Sequence, residues 1–414
     1  MKQINVRCLL YLLAVTALLL VSACSSTPYR YDPSGQASIE QRAISQQLGE
    51  IDVRAAVPGD DEAKALFGIP LHRRDIQAVW LEITNKGAQR ARFAPYSIDR
   101  DYFPPHEVAY IHKKGLSDSA LKELEQRLHA LSVPRTIGPG ETVSGYVFTN
   151  ASPGTKAFNV DVFYTGGEAK NEHFTFFVDV PGFVPDHAEI DFAGLYSENE
   201  YIDTDANGFR EILNTWQCCT TASDLNSLGR PVNVFLVAKG RDLLQTLLRS
   251  GWSETSYKRD SNYLNIADYL FNRPPDSIFK KGRDRATERN EMGLWLTPVH
   301  VDGVPVWAAQ LKHAIGRQFE IGEYFFGIRL DPDVNEGRNY LLQDLWYSRS
   351  LKAYAWSNTG EFVPDENPRT DFNGNVWFSD GYRLVMWLSG EPVSFKAAHD
   401  IGWDQVIRSK EPDE

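Results

Sequence analysis

The spacing of the apolar residues changes near residue 190, and this change constrains the fold of the 414-residue chain more than any other feature. From about Asp52 to Pro185, apolar and polar residues alternate in short runs separated by Gly, Pro and Asn, a pattern typical of strands joined by turns. Beyond Ile190, continuous apolar runs occur beside runs with helical spacing. The sequence therefore predicts an α+β fold class with two domains, at residues 52–185 and 190–408.

The first domain, residues 52–185, is predicted to be an antiparallel β-sandwich, because short strands with regular turns favour that architecture. The strands are expected at Ala78–Thr84, Thr142–Phe148, Ala157–Tyr164 and Glu172–Val180. Leu116–Leu131 instead has helical spacing, and Ser117 is placed to cap its N-terminus. We expect this helix to cover an open edge or end of the sandwich. The segments Ile83–Gly87 and Pro139–Phe148 resemble immunoglobulin-like envelope domains, which implies a fold and no activity.

The second domain, residues 190–408, is predicted to be a two-layer α+β unit of ferredoxin-like type, because a strand, a helix, a hairpin, a second helix and a strand follow one another. These elements are expected at Val232–Ala238, Leu243–Leu248, Met292–His300 with Val304–His313, Asn335–Tyr347 and Lys352–Trp356. Asp302 and Gly303 form the turn of the hairpin. A last hairpin, formed by Val376–Phe378 and Arg383–Leu388, is expected to extend the sheet.

Three segments of this domain resemble the LssY C-terminal domain family. The first runs from Trp216 to Trp252 and contains Gly229–Val237, Leu243-Leu244 and Gly251-Trp252; the others are Gly303–Trp307 and Leu330–Asn335. The resemblance covers about Leu195 to Ser350 and implies a shared fold without an established activity. Family members often carry the domain behind membrane-embedded phosphatase-like or DedA-like segments, and this chain carries no such segment. The family also tends to have a His-rich strand before its Asp-Pro-Asp, where this chain has Tyr324-Phe325-Phe326-Gly327.

Residues 1–23 are predicted to be a signal peptide, because Lys2 and Arg7 precede an apolar run and small residues stand before Cys24. The run, Leu9–Val21, has 13 residues. A helix that spans a membrane needs roughly 20. The sequence Val-Ser-Ala-Cys that ends at Cys24 resembles the lipobox of bacterial lipoproteins. That resemblance implies cleavage before Cys24 and acylation of the cysteine with several chains of the palmitate kind, which together anchor a protein firmly.

Ser25 follows the cysteine, where the lipoprotein family uses Asp for retention in the inner membrane. We therefore expect a protein anchored to the outer membrane and facing the periplasm, with the inner membrane and the cell surface as alternatives. Residues 24–51 are rich in Ser, Gln and Pro and are predicted to form a flexible tether. Residues 409–414 are predicted to be a disordered tail.

The composition limits both the partners and the redox chemistry. A net charge of −12 argues against binding to nucleic acid, whose phosphates select basic surfaces. Of the four cysteines, Cys8 leaves with the signal peptide and Cys24 carries lipid, so Cys218 and Cys219 remain. Because the envelope is oxidising, these neighbours could form a vicinal disulfide, pair with other chains or stay as buried thiols.

Two polar clusters could bind ions. The one basic cluster comprises Lys280, Lys281, Arg283 and Arg285. It could contact anionic headgroups, an envelope polymer or the acidic face of a partner, or it could be a solvated loop. Asp203, Asp205 and Asn207 place oxygen atoms at alternate positions, as calcium loops do. However, Asn214 stands at the twelfth position, where a Glu should complete the ligand shell, so this run could equally be a turn.

No catalytic motif emerges from the sequence. His106-Glu107 begins like a zinc-protease helix, but Tyr110 stands where the second imidazole is required, and Pro104-Pro105 argue against a helix. We therefore predict no zinc there. Nine of the ten tryptophans lie in the second domain, where they could fill the core or line an aromatic groove for sugar rings.

We expect from these features a non-catalytic, membrane-anchored lipoprotein that binds a protein partner or another envelope component and uses no cofactor. The alternative is a hydrolase that acts on envelope lipid or glycan with its site in the second domain. A cleft that brings carboxylates close to one another, to His300 or to His313 would favour the hydrolase. A flat apolar patch would favour binding.

Overall fold

The computed structural model of the protein describes residues 28–152, 154–166, 170–255, 268–282, 288–320 and 325–405. They form two compact units: unit 1 lies within Met1–Ala151 and Phe158–Gly182, and unit 2 within Ser152–Ala157 and Phe183–Glu414. Seven α-helices and several antiparallel sheets make up the described part of the chain, so the predicted α+β class is confirmed. No helix in that part is both long and apolar enough to cross a membrane.

Unit 1 contributes the first helices and strands. In chain order they are α1 (Gln36–Gln41), β1 (Ile44–Leu48), β2 (Ile51–Ala56), α2 (Asp60–Phe67), β3 (Ile76–Asn85), β4 (Ala91–Ala94), α3 (Pro105–Ile111), α4 (Asp118–Ala130), β5 (Thr136–Ile137), β6 (Thr142–Asn150), β7 (Thr155–Tyr164) and β8 (Asn171–Asp179). The strands form two four-stranded sheets, in the orders β1-β2-β3-β6 and β5-β4-β7-β8. β7 begins in the short segment assigned to unit 2.

The two sheets of unit 1 share one apolar core. Val79 and Leu81 of β3 belong to the same buried cluster as Val160 and Val162 of β7. Each strand therefore turns alternate residues towards this core, as its alternating sequence requires. The four strands predicted from the sequence are confirmed as β3, β6, β7 and β8, with ends that shift by at most two residues.

Helices cover the outer face of the sheet that contains β3. Trp80, which alternates with the core residues of that strand, lies in a second buried cluster with Phe67 of α2 and Leu124 of α4. The predicted helix is confirmed as α4, and the Ser117 hydroxyl accepts a hydrogen bond from the N–H of Ala120 at 3.2 Å. The expectation that α4 covers an edge or end of the predicted sandwich is wrong: α4 covers the outer face of the sheet, because that face is also apolar and must be buried.

Regular structure begins before residue 52, which differs from the flexible tether predicted for residues 24–51. The hydroxyl of Tyr29 donates to the carbonyl oxygen of Phe67 at 2.8 Å, Ile39 of α1 is fully buried, and β1 pairs with β2. Tyr29 and Ile39 are isolated in a polar stretch of sequence, so the composition gave no sign that both belong to the buried cluster that α4 covers. Cys24 and the rest of residues 1–27 lie outside the described residues.

The segment around His106 also differs from the sequence prediction. Pro105 was expected to prevent a helix, but it is the first residue of α3. A proline is favourable there, because the first residue of a helix makes no N–H bond within the helix and the ring presets φ. Tyr110 is nevertheless exposed at the position where a zinc-binding helix needs its second histidine.

Unit 2 contains the remaining elements. They are β9 (Ile202–Thr204), α5 (Ala206–Leu213), β10 (Cys219–Thr221), β11 (Leu228–Pro231), β12 (Val234–Val237), α6 (Gly240–Arg249), β13 (Ser253–Thr255), β14 (Ser277–Gly282), β15 (Arg289–Val301), β16 (Val304–Glu320), β17 (Phe325–Leu330), α7 (Val334–Tyr347), β18 (Leu351–Ser357), β19 (Phe362–Val363), β20 (Arg369–Thr370), β21 (Val376–Trp377), β22 (Ser379–Asp380), β23 (Arg383–Leu388) and β24 (His399–Asp400). The main sheet has the order β13-β14-β15-β16-β12-β23-β18-β24, with β17 beside β16 and β9 beside β15. The pairs β10-β11, β19-β22 and β20-β21 form small separate sheets.

The order of elements predicted for unit 2 is present, but β23 occupies an unexpected place. A ferredoxin-like sheet would put β18 directly beside β12, whereas β23 lies between them, parallel to β12 and antiparallel to β18. The predicted hairpin of Val376–Phe378 with Arg383–Leu388 is wrong, because β21 pairs with β20 and β22 with β19. Because β23 is buried along nearly its whole length, its backbone needs a paired strand on each edge. The two-residue strand β21 is too short to pair with the whole of β23.

Both faces of the main sheet are covered. Leu236 of β12 lies in a cluster with Leu243 of α6 and Leu341 of α7, whereas Phe235 lies in a different cluster with Phe209 of α5. The predicted two layers are therefore incomplete, since α5 and the adjoining loops form a layer on the second face. The strand sequence Val-Phe-Leu-Val in β12 has no polar face and so needs this cover.

Candidate functional site

An apolar cavity of about 480 Å³ lies beside α6 in unit 2. One face of β14, β15 and β16 forms its floor, and the first turns of α6 form a wall. The apolar side chains that line it include Phe192, Leu243, Leu244, Phe279, Leu296 and Trp307. The same helical spacing that predicted α6 places Leu243 and Leu244 on this side. Such a lining can enclose a hydrocarbon group.

Two contacts hold Trp307 in place within this lining. Its indole Nε1 donates to the carbonyl oxygen of Ala238 at 3.0 Å, and its ring meets that of Phe192 edge to face with centroids 5.7 Å apart. The side chain is buried. Because one hydrogen bond and one ring contact hold the indole, the cavity wall is formed before any ligand binds.

The mouth of the cavity carries two basic side chains. Arg241 is exposed on the first turn of α6, and in the described part of the chain no carboxylate forms an ion pair with it. His187 Nδ1 lies 3.4 Å from Oε1 of Glu254, whose side chain is only 1% exposed. The other carboxylate oxygen of Glu254 accepts the N–H of Thr155 at 2.9 Å. The cavity thus combines an apolar interior with a guanidinium group that is available to an anion.

A second, polar pocket of about 520 Å³ lies at the start of α7. His313 Nδ1 is 2.9 Å from Oδ1 of Asn290. An amide oxygen only accepts, so in the neutral ring Nδ1 carries the proton and Nε2 is left as an acceptor. Asp331 and Glu336 line the same pocket, and Oδ1 of Asp331 accepts the N–H of Asp333 at 3.0 Å. This is the one predicted combination of His313 with carboxylates that the described residues bring into a common pocket.

A buried polar network lies on the α5 face of the sheet. Lys312 is ion-paired with Asp268, and Oδ1 of Asp268 also accepts the hydroxyl of Thr220 at 2.8 Å. Gln310 Nε2 donates to that same hydroxyl at 2.9 Å. All four side chains are nearly inaccessible to solvent. Charges buried in this way are costly unless paired, so the network fixes the packing of β16 against its neighbours.

Arg230 connects this face to the start of α7. Its guanidinium donates to the carbonyl oxygens of Asp331 at 2.8 Å and Val376 at 3.0 Å, and Nε lies 3.3 Å from the carboxylate of Asp371. Desolvation by burial lowers the pKa of Arg230, although the nearby carboxylates oppose that shift. Arg230 and Asp331 come from two of the three segments on which the family resemblance rests. Two of the family-like segments are therefore in contact in the structure, through the hydrogen bond from Arg230 to the carbonyl oxygen of Asp331.

Residues 212–382 match the family described as LssY C-terminus. The match covers less than half of the chain and extends from the end of α5 to the residue before β23. No curated protein sequence matches the chain. The LssY C-terminus region predicted from the three segments is therefore confirmed within unit 2. It includes Leu243, Trp307 and Arg241 at the apolar cavity and His313 in the polar pocket, whereas His187 lies before it.

The predicted basic cluster is divided within the LssY C-terminus region. Lys280 and Lys281 lie on opposite faces of β14, because side chains alternate along a strand. Lys281 Nζ is 2.5 Å from the carboxylate of Asp344 on α7 and also donates to the carbonyl oxygen of Ser250. Arg283 and Arg285 lie outside the described residues. Lys281 therefore stabilises the contact of β14 with α7, and an anion or partner site at this cluster stays a prediction.

The residues proposed for calcium have other contacts. Asp205 is the N-cap of α5, and its carboxylate accepts the N–H of Gly208 at 2.7 Å. Asp203 lies in β9 and accepts the N–H of Gly303 at 3.0 Å. Asn207 is within α5. The alternating oxygens thus belong to a strand, a cap and a helix, and calcium binding there stays a prediction.

Cys218 and Cys219 are bonded to each other, with Sγ atoms 2.14 Å apart. Cys219 is buried in a small apolar cluster with Val363 and Trp377. Among the described residues, these two cysteines and Glu361 form the one group of three or more His, Cys, Asp or Glu whose ligand atoms all lie within 4.8 Å of one another.

Sequence reasoning missed the residues at the mouth of the apolar cavity. His187 and Arg241 line the cavity and Glu254 contacts His187, but these three residues share no sequence motif. Two signals pointed to the cavity itself: the apolar face of α6 and Trp307, which ends one of the three family-like segments.

Proposed function

We propose that unit 2 binds an amphipathic envelope molecule, with its acyl chain in the apolar cavity and its anionic headgroup at Arg241. The observation that carries this proposal is the exposed guanidinium of Arg241, which forms no ion pair with any described residue and lines an apolar cavity. The cavity volume of about 480 Å³ is within the range of small-molecule sites, roughly 300–1,000 Å³. The role is binding, in agreement with the leading expectation from the sequence.

The apolar lining sets how affinity should depend on chain length. Each buried methylene contributes about 0.8 kcal/mol, which is roughly a fourfold change in Kd per added carbon. We therefore expect saturated fatty acids to bind more tightly with each added methylene until the cavity is full, and then to show no further gain. Displacement of an environment-sensitive fluorescent fatty acid measures this series. A folded protein that shows no saturable binding at any chain length would contradict the proposal.

Two leucines provide a matched pair for this assay. Leu244 lines the cavity, whereas Leu342 packs against the same buried cluster from α7 without lining it. Both are partly buried. We expect Leu244→Gln to weaken binding about tenfold, because the polar amide loses more than 1 kcal/mol of apolar contact. Leu342→Gln should leave Kd unchanged, and equal losses in both variants would show that the effect comes from stability.

The headgroup is tested at Arg241. Because Arg241 is exposed, we expect Arg241→Gln to weaken binding of a fatty acid about tenfold at low salt and less at high salt. The corresponding methyl ester should bind both proteins equally. A variant that loses affinity for acid and ester alike would place the guanidinium outside the headgroup site.

We further propose that the protein is a lipoprotein acylated at Cys24 and held at the outer membrane. The support is the sequence around the predicted cleavage site. Metabolic labelling with an alkyne-bearing palmitate analogue should mark the wild-type chain, and Cys24→Ser should abolish the label and release the chain from sedimented outer membranes.

For unit 1, two four-stranded sheets with a shared core support the proposed immunoglobulin-like sandwich.

A hydrolase is the second candidate, and the polar pocket favours it. His313 is oriented by Asn290 with Nε2 as an acceptor, which suits a general base, and Asp331 and Glu336 line the same pocket. Turnover of labelled envelope lipids or glycans by the purified protein, lost in His313→Gln and retained in His300→Gln, would favour this candidate. A protein partner instead of a small molecule would be recovered by crosslinking in the intact envelope.

A further inference from the structure

The vicinal cysteines lie beside a carboxylate that the disulfide does not require. The two Sγ atoms and an oxygen of Glu361 lie within 4.8 Å of one another. Glu361 precedes β19 and is ion-paired with Arg369 at 2.5 Å. Cys219 is 3% exposed, and Cys218 and Glu361 are partly exposed. One sulfur is therefore buried, while the other two groups can be reached from solvent.

Two sulfurs and one carboxylate oxygen are a ligand set that Zn²⁺ accepts, with water in the fourth position. Tetrahedral Zn²⁺ with Zn–S near 2.3 Å and Zn–O near 2.0–2.2 Å holds its ligand atoms roughly 3.5–4 Å apart. The carboxylate oxygen is already within 4.8 Å of both sulfurs, so coordination requires the thiolates to separate from each other and the carboxylate to close any remaining gap. The disulfide prevents this, because bonded sulfurs have no thiolate charge to offer a metal.

We propose that reduction of the Cys218–Cys219 disulfide opens a binding site for a thiophilic divalent cation such as Zn²⁺. A dithiol reductant supplies two electrons and two protons: the S–S bond breaks, two thiols form, and the reductant becomes a disulfide. Binding of the cation then releases both thiol protons and forms two metal–sulfur bonds, while Glu361 exchanges its contact with Arg369 for the metal. The site is separate from the apolar cavity and does not depend on the function proposed for it.

Cadmium titration of the full chain tests the site. Cys8→Ser and Cys24→Ser leave Cys218 and Cys219 as the cysteines of the protein. After reduction by a phosphine, which takes up the oxygen of one water molecule as the disulfide becomes two thiols, we expect one Cd²⁺ per chain with ultraviolet thiolate-to-cadmium absorption. Zn²⁺ should displace it. The oxidised protein should give no such signal.

Glu361 and Glu366 provide matched variants, because Glu366 is an exposed carboxylate on the other side of β19 and lies outside the group of three. Loss of a residue that only orients a metal ligand weakens metal binding roughly 10–100-fold. Because Glu361 would itself be a ligand, Glu361→Gln should weaken cadmium binding by at least that factor. Glu366→Gln should bind as the parent does. Both changes lie at the surface, so folding is expected to be retained and is checked by circular dichroism. Absence of the absorption in the reduced, folded protein would overturn the proposal, as would equal affinities of the two variants.

Discussion

Removal of the Arg230 side chain should destabilise unit 2 more than removal of an exposed arginine. Arg230 and Asp371 are 2% and 3% exposed, and the guanidinium also donates to two backbone carbonyls. Arg230→Met therefore leaves a buried carboxylate without its cation and two acceptors without a donor. Breaking a buried pair from one side costs about 3–5 kcal/mol. A domain has only about 5–15 kcal/mol of total stability, so this is a large fraction.

A double-mutant cycle separates the ion pair from the other contacts of Arg230. The double variant Arg230→Met/Asp371→Asn contains no uncompensated carboxylate. Its loss in free energy of unfolding should therefore be about 1.5–3 kcal/mol smaller than the sum of the losses in the two single variants. Arg210→Met is the control, because Arg210 pairs with Asp404 while 38% exposed. Exposed pairs contribute about 0–1 kcal/mol.

Urea unfolding followed by tryptophan fluorescence is the appropriate assay. Trp80 lies in unit 1 and the other nine tryptophans in unit 2, so the signal reports mainly on unit 2. The midpoint of Arg230→Met should fall with little change in the slope m. A loss no larger than that of Arg210→Met, or strict additivity in the cycle, would refute the view that the buried Arg230–Asp371 pair stabilises unit 2.

Three further predictions concern unit 1. Burial raises the pKa of Tyr29 from 10.0 to about 12. The folded state therefore favours the neutral phenol, and the stability that this contributes is complete below pH 10 and is lost as the pH rises towards 12. Tyr29→Phe should reduce the fall of Tm between pH 10 and pH 12. Gly145→Ala should cost about 1–3 kcal/mol or more, because a Cβ would lie 2.5 Å from the backbone N of Val133; a denaturation midpoint equal to that of the wild type would contradict this packing. Ser117→Ala should cost about 1 kcal/mol by removing the N-cap of α4. Ser119→Ala, two residues further on, removes only the exposed contact between the two hydroxyls and should change the midpoint little.

The strands and helices of this protein could be predicted where the signal is local. β3, β6 and α4 were found because alternation or helical spacing within a few residues decides which face is buried. The start of unit 1 was missed because two apolar residues, Tyr29 and Ile39, stand in an otherwise polar stretch and become decisive only through distant partners.

The candidate site was less predictable than the fold. Its walls could be inferred from the apolar face of α6, but Arg241 and His187 reach the same opening only after the sheet has formed. Lys280 and Lys281 show the converse. Adjacent basic residues in the sequence suggest one positively charged patch, but in a strand they point to opposite faces of the sheet.

The place of β23 in the main sheet has a consequence for synthesis of the chain. β12 pairs with β23 through Val234 and Leu384, which are 150 residues apart, since 384 − 234 = 150. A nascent chain therefore exposes one edge of β12 until β23 has also been made. An unpaired apolar edge can join to another chain, and long-range pairs form slowly. Folding of this protein should accordingly depend on chaperones that keep this edge of β12 from pairing with other chains until β23 has been made.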